Sequence, residues 1–310
     1  MPSSRERARR RSTCVLIALA AVCAWSRAGE PVSAAQARAN FDRPIRLAPD
    51  DVRAFPAPPR GFADPAPGLP RGRIEDLDYR SGVTGTQRHA RIYLPPGYAS
   101  GHRYPVLYLL HGIAGNQDEW RGYVRGPVIL DKLEASGQAL PMIVVMPNGR
   151  ALPDDAPPPA DKVFTPANAA GFEQFERDLL EFLIPAVDST YPTLADREHR
   201  AIAGLSMGGG QALNFGLAHL DRFAWIGAFS PAPNTHGIDE LVPDAAGARR
   251  ELKLLYLSCG NQDGLISVSQ AVHRGLVQRA VAHVWNVDDH GHDRDSWAEN
   301  FHRFAQLIFR

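Results

Sequence analysis

From Tyr104 onward the sequence alternates between two patterns that few folds accommodate. Uninterrupted apolar runs end in turn residues: "YPVLYLLHG", "PMIVVMPNG", "HRAIAGLS", "FAWIGAFSP", "LKLLYLSCG" and "AHVWNVDD". Segments with apolar residues at helical spacing separate or follow them: "VILDKLEASG", "GFEQFERDLLEFLIPAVDSTY", "GGGQALNFGLAHL", "ISVSQAVHRGLVQRA" and "SWAENFHRFAQLIF". A strand that is apolar throughout is buried on both faces, and parallel neighbours need a crossover, usually a helix. The pattern therefore predicts an α/β fold, with a mostly parallel central sheet and helices on both faces. Pro185 predicts a kink or break in the long second helix. Ahead of this region, "IEDLDYRS" and "QRHARIYLP" alternate apolar and polar residues, which predicts an antiparallel N-terminal edge.

The first residues follow other rules. "RERARRRST" is basic, "CVLIALAAVCAW" is a short apolar run, and small residues follow in "SRAGEPVSAA". This is the layout of a signal peptide over residues 1–28, with cleavage near Ala28 or Ala34. The apolar run falls short of the ~20 residues of a membrane span. An uncleaved anchor or a buried helix is the competing reading. A twin-arginine route or a lipid-modified Cys23 fits the sequence less well, since Val22 is bulky for the latter. The mature chain is expected to be secreted or periplasmic, without stable membrane anchoring. Residues 29–72 form a proline-rich extended lead-in, dense enough in proline over 40–72 to forbid regular helix or central strand. Residues 73–310 form the catalytic domain. With Cys14 and Cys23 in the leader, Cys259 stands alone and reads as a packed thiol at a strand end. The 34 basic and 34 acidic residues balance, which removes any bulk electrostatic pull toward nucleic acid.

Chemistry concentrates at "AIAGLSMGGG". Gly204-Leu205-Ser206-Met207-Gly208 is a G-x-S-x-G at a strand-to-helix junction. There a sharp turn exposes the serine hydroxyl, and the helix N-terminus offers backbone N–H groups. A phosphate loop is the rival, but the G-x-x-x-x-G-K-[ST] pattern and a nearby lysine are absent. A nucleophilic serine needs a base, and the base needs an acid, in the chain order Ser, acid, His. Asp263, in the turn after "KLLYLSCGNQ", is the acid candidate; capping the following helix is its other reading. His290 and His292 are both base candidates in "VWNVDDHGHDRDSW", with Asp289 and Asp293 as rival acids. A metal held by these histidines with Asp288, Asp289 and Asp293 lacks further ligands at a usual spacing, so neither metal nor cofactor is expected. The oxyanion donors are the backbone N–H of Met207 and that of Ile113, in the glycine-containing loop "HGIAGNQDEW". His111 precedes the serine and reads as a hydrogen-bonder orienting that loop. Trp120 and the insertion 151–171 are expected to shape the acyl or sugar site, since a loop that long after a strand lies where ligands bind in open α/β sheets.

The stretches "YPVLYLLHGIAGNQDEW", "PMIVVMPNGR", "FERDLLEFLIPAVDSTY", "REHRAIAGLSMGGGQALNFGL", "FAWIGAFSPAPN", "KLLYLSCGNQD" and "GHDRDSW" carry a resemblance from about Gly72 to the C-terminus. The chain resembles the esterase family of the α/β-hydrolase superfamily that includes the feruloyl esterase domains of xylanases and the mycolyltransferases, carbohydrate esterase family one. The resemblance implies an α/β-hydrolase fold, a Ser206–Asp263–His292 triad, and Ile113 and Met207 as oxyanion donors. It selects His292 over His290, because the family's histidine follows a glycine and precedes a tryptophan, here Gly291 and Trp297. "DDHGHD" departs from the family's glycine-rich turn and leaves His290 near the site with no role assigned by the resemblance. The implied function is ester hydrolysis on acylated plant cell-wall carbohydrate, feruloyl or acetyl, with a small-molecule or polysaccharide ester as partner. Acyl transfer by the same triad and an inactive binding module are the alternatives.

Overall fold

The computed structural model describes residues 34–310. The expected leader and a cut near Ala28 lie outside the described residues. The strands are β1 (Arg73–Arg80), β2 (Gln87–Leu94), β3 (Val106–Leu110), β4 (Ile143–Pro147), β5 (Arg200–Leu205), β6 (Trp225–Phe229), β7 (Leu254–Gly260) and β8 (Val284–Asp288). They form one sheet in the order β1-β2-β4-β3-β5-β6-β7-β8. β2 pairs antiparallel with β1 and β4, and all later neighbours are parallel. The expected antiparallel edge and parallel centre are both present.

The helices are α1 (Ala34–Phe41), α2 (Glu119–Gly122), α3 (Gly126–Ala135), α4 (Pro166–Asp178), α5 (Ile184–Thr190), α6 (Met207–Ala218), α7 (Ile238–Leu241), α8 (Ala245–Glu251), α9 (Ile266–Gln278) and α10 (Arg294–Leu307). Side chains alternate across each strand and feed two cores. Val106, Tyr108 and Leu110 of β3 pack with residues of α5, α6 and α9. Leu107 and Leu109 pack on the opposite face with residues of α3 and α10. Among the described residues no helix is long and apolar enough to cross a membrane.

Two expectations change. The lead-in is not extended throughout: α1 occupies 34–41, which holds no proline, and irregular backbone begins at Asp42. The insertion 151–171 is helical from Pro166, because Thr165 and Pro166 supply an N-cap and a first-turn proline. The kink or break expected at Pro185 takes the form of a π turn just ahead of it, over Leu179–Leu183 between α4 and α5, where the Ile184 N–H reaches back to Leu179 O. Proline crowds the carbonyl four residues back, and the wider turn relieves that crowding.

Arg88 fixes the end of β4. Its buried guanidinium pairs with buried Asp178 and donates to the carbonyls of Asn148, at 2.8 Å, and Arg150. The same backbone meets the loop after β3 through Gly149 N–H, which donates to His111 Nε2 at 2.8 Å, and through the Arg150 guanidinium, which donates to Gly115 O at 3.1 Å.

Candidate active site

β5 ends at Leu205 and α6 begins at Met207, so Ser206 alone makes the turn between them. Its backbone sits at φ 53°, ψ −119°, a conformation that side chains other than glycine rarely adopt. The glycines around it are required by close approach. A Cβ on Gly208 would lie 2.5 Å from Leu110 O, and one on Gly204 would lie 2.3 Å from Gly208 O. Gly208→Ala is expected to lower unfolding free energy by about 2–3 kcal/mol through this backbone overlap. Thermal unfolding would read it against Gly101→Ala, where an added Cβ meets nothing within 4 Å.

The acid turn after β7 and the loop after β8 are joined by backbone. Asn261 N–H donates to Asp288 O at 2.8 Å, and Gln262 N–H to His290 O at 2.9 Å. This brings His292 between Asp263 and Ser206. His292 Nδ1 lies 2.8 Å from Asp263 Oδ2, and Nε2 lies 2.9 Å from Ser206 Oγ. A carboxylate only accepts, so Nδ1 carries the proton and a neutral ring leaves Nε2 as acceptor for the hydroxyl. Asp263 is fully buried, and its other oxygen accepts from Leu265 N–H at 2.8 Å. Burial alone would push the Asp263 carboxyl up. The His292 hydrogen bond and charge, with the Leu265 N–H, outweigh it and hold the carboxyl below its usual range. The capping alternative for Asp263 is not met: Leu265 is the N-cap of α9, and Asp263 accepts from that residue's N–H ahead of the helix.

The loop after β3 runs alongside Ser206, since a Cβ on Gly112 would stand 3.5 Å from Ser206 Cβ. Neither the Ile113 nor the Met207 N–H finds a protein acceptor among the described residues. His111 is buried: Nδ1–H donates to Gly112 O at 2.7 Å, and Nε2 accepts from Gly149 N–H at 2.8 Å. Burial pushes its pKa down to about 4, so it stays neutral in this role. Glu119 is a residue that the motifs did not point to. Its carboxylate accepts the Gly112 N–H at 2.7 Å and packs under Gly115, bracing the loop from the start of α2. Ile113, Phe172, Met207, Ala232 and Leu265 form a small apolar patch around these donors.

The remaining candidates lie elsewhere. His290 turns from the serine toward Glu299, at 3.3 Å. Asp289 is exposed and paired with Arg53 at 2.9 Å, and Asp293 caps α10 through the N–H groups of Asp295 and Ser296. Among the described residues no group of acidic, histidine or cysteine side chains could hold a metal. Cys259 is buried, and burial pushes its thiol up, as a packed thiol requires. Trp120 does not shape a substrate surface. It is 1% exposed, donates its indole N–H to Leu110 O at 2.8 Å, and packs between Phe229 and Phe301. With its polar tip satisfied internally, the ring sits in the core. The insertion reaches the loop through Asn168, whose amide lies 2.7 Å from Val163 O and 3.4 Å from Ile113 O.

Residues 81–306 match the model of the Esterase family, described as "Putative esterase". The chain belongs to this esterase family. It is 29% identical over 270 residues to an endo-1,4-beta-xylanase/feruloyl esterase of Xylanibacter ruminicola, a match covering 83% of this chain and 34% of that protein. The chain therefore spans about a third of that relative's length. An acetyl esterase of Caldicellulosiruptor saccharolyticus is 25% identical over 226 residues, covering 62% of this chain and 78% of that one. A ferulic acid esterase of Anaeromyces mucronatus, solved with ferulic acid, superposes with a TM-score of 0.71 at 25% identity, covering 85% of this chain and 98% of that chain. The fold is that of the α/β-hydrolases, as the resemblance implied.

Proposed function

We propose that the protein is a serine carboxylic-ester hydrolase acting on acylated plant cell-wall carbohydrate, feruloyl or acetyl, after export by its N-terminal segment. The observation that carries this reading is the chain of contacts from Asp263 through His292 to Ser206, at 2.8 and 2.9 Å. His292 Nε2 takes the Ser206 proton as Oγ attacks the ester carbonyl. The N–H groups of Ile113 and Met207 hold the oxyanion. Asp263 stabilises the imidazolium and fixes its tautomer. The tetrahedral intermediate collapses when His292 gives its proton to the leaving alcohol, and the acyl group stays on Oγ. Water, deprotonated by His292, then attacks the acyl-enzyme; the second tetrahedral intermediate breaks its bond to Oγ, the acid leaves, and His292 returns the proton to Ser206. Every group in the cycle is a side chain or backbone donor already described. The xylanase/feruloyl esterase and the ferulate-bound esterase among its relatives support the choice of acyl group.

A fluorophosphonate probe is expected to label Ser206 and no other residue. A rate panel of methyl ferulate, acetylated xylan and short aryl acetates then ranks the acyl groups. Labelling at a different residue, or hydrolysis of none of these esters, would sink the reading.

A further inference from the structure

We infer that Phe41, from the lead-in segment rather than the sheet, forms a wall of the alcohol subsite and selects esters of ring-sized sugar alcohols. The inference rests on the ester-hydrolase reading above. Two aromatic rings meet His292 edge-on at 5.1 Å, Trp297 and Phe41. Trp297 is 6% exposed and belongs to the core under α10. Phe41 is 42% exposed, so it alone of the two has ring surface left for a ligand.

The position of Phe41 is built. Its backbone lies directly on the acid turn, where a Cβ on Gly264 would come within 2.1 Å of Phe41 O. The chain beyond it is tied to the elements that carry acid and base. Gln270 of α9 donates to Arg46 O at 2.8 Å and to Asp51 at 2.6 Å. Trp285 of β8 donates to Asp51 at 3.1 Å, and Val287 N–H donates to Val52 O at 3.1 Å. Arg53 bridges Asp289 and Glu299.

Chemistry assigns the side of the site. The leaving oxygen must receive its proton from His292 Nε2, so the alcohol sits against the imidazole. The acyl group is then left to the side of the proposed oxyanion donors, where partly exposed Ile113 packs on buried Phe172, Met207 and Leu265. Methanol is too small to extend past the imidazole edge. A pentose or hexose is large enough to lay its C–H face on an aromatic ring at that edge.

The test compares kcat/KM for methyl ferulate and for a feruloylated pentose oligosaccharide in wild type, Phe41→Ala and Phe41→Tyr. Phe41→Ala is expected to lower the sugar-to-methyl ratio by about 5- to 10-fold, the scale of one aromatic contact. The loss should appear mainly in KM, the pH profile should not move, and Phe41→Tyr should restore the ratio. Equal loss on both esters would mean that Phe41 only positions His292, and an unmoved ratio would mean that it touches no alcohol; either result overturns the proposal. If wild type cleaves neither ester any better than Ser206→Ala, the hydrolase reading fails first, and this proposal with it.

Discussion

Ser206→Ala is expected to lower kcat on any ester the protein cleaves by about 10⁴- to 10⁶-fold, with a cooperative thermal transition retained. In the proposed mechanism this hydroxyl is the group that attacks a carbonyl held by the Ile113 and Met207 N–H groups. Its removal takes one hydrogen bond from His292 and leaves the fold's cores untouched. Ser206→Gly should be as inactive but more stable than Ser206→Ala. At φ 53°, ψ −119° a Cβ is strained, and removing it releases roughly 1–3 kcal/mol. The greater entropy of an unfolded glycine offsets only about 0.4–1 kcal/mol of that. Parallel thermal melts of the two variants read the difference, and a less stable glycine variant would show that the turn is not strained.

Asp263→Asn is expected to lower kcat by about 10⁴-fold without disturbing the surrounding geometry. Leu265 N–H donates to one Asp263 oxygen at 2.8 Å and needs an acceptor there. The asparagine carbonyl must therefore take that place, which turns its NH₂ toward His292. The ring then accepts at Nδ1 and carries its proton on Nε2, where it can no longer accept from Ser206. Stability should also change with pH in a defined direction. The Asp263 carboxyl is held below its usual range in the folded chain. Its stabilisation is therefore complete above the unfolded value of about 3.9 and is lost as pH falls through the folded value. The stability gap between wild type and Asp263→Asn should be widest near neutral pH and should narrow as pH falls below about 4. Acid titrations of both chains by circular dichroism would check it; a gap that widens in acid would contradict the depressed carboxyl.

The sheet was legible because each of its central strands is a closed apolar run, and burial on both faces leaves that mark whatever the strand packs against. Ser206 was legible because close approach restricts its neighbours to glycine. Asp263 and His292 could be placed because each stands just after such a run. The choice between His290 and His292 needed the resemblance; the structure separates them through Glu299, nine residues after His290, which draws that ring toward α10. Trp120 was misplaced because a sequence does not show which way a side chain leaves a short helix, and its indole N–H has a core carbonyl within reach. Glu119 and Phe41 left no local mark. Each acts through a contact made by the fold, one under Gly112 and the other 251 positions from His292 in sequence, and no periodicity encodes such distances.

An open sheet has two outer strands, and each offers unpaired backbone to any neighbouring molecule. On β1 the answer is charge: Arg73, Glu75, Asp76, Asp78 and Arg80 make it a poor template for another strand. β8 has no such guard in "VWNVD", and its outer side is occupied instead by the segment that begins with α1. Val52 O takes the Val287 N–H, Asp51 takes the Trp285 indole N–H, and the Asn286 side chain takes the Ala54 N–H at 2.9 Å. A chain cut beyond Ala54 and freed of that segment is expected to bare a hydrophobic strand edge and to associate through it more than the intact chain does, which light scattering before and after the cut would read.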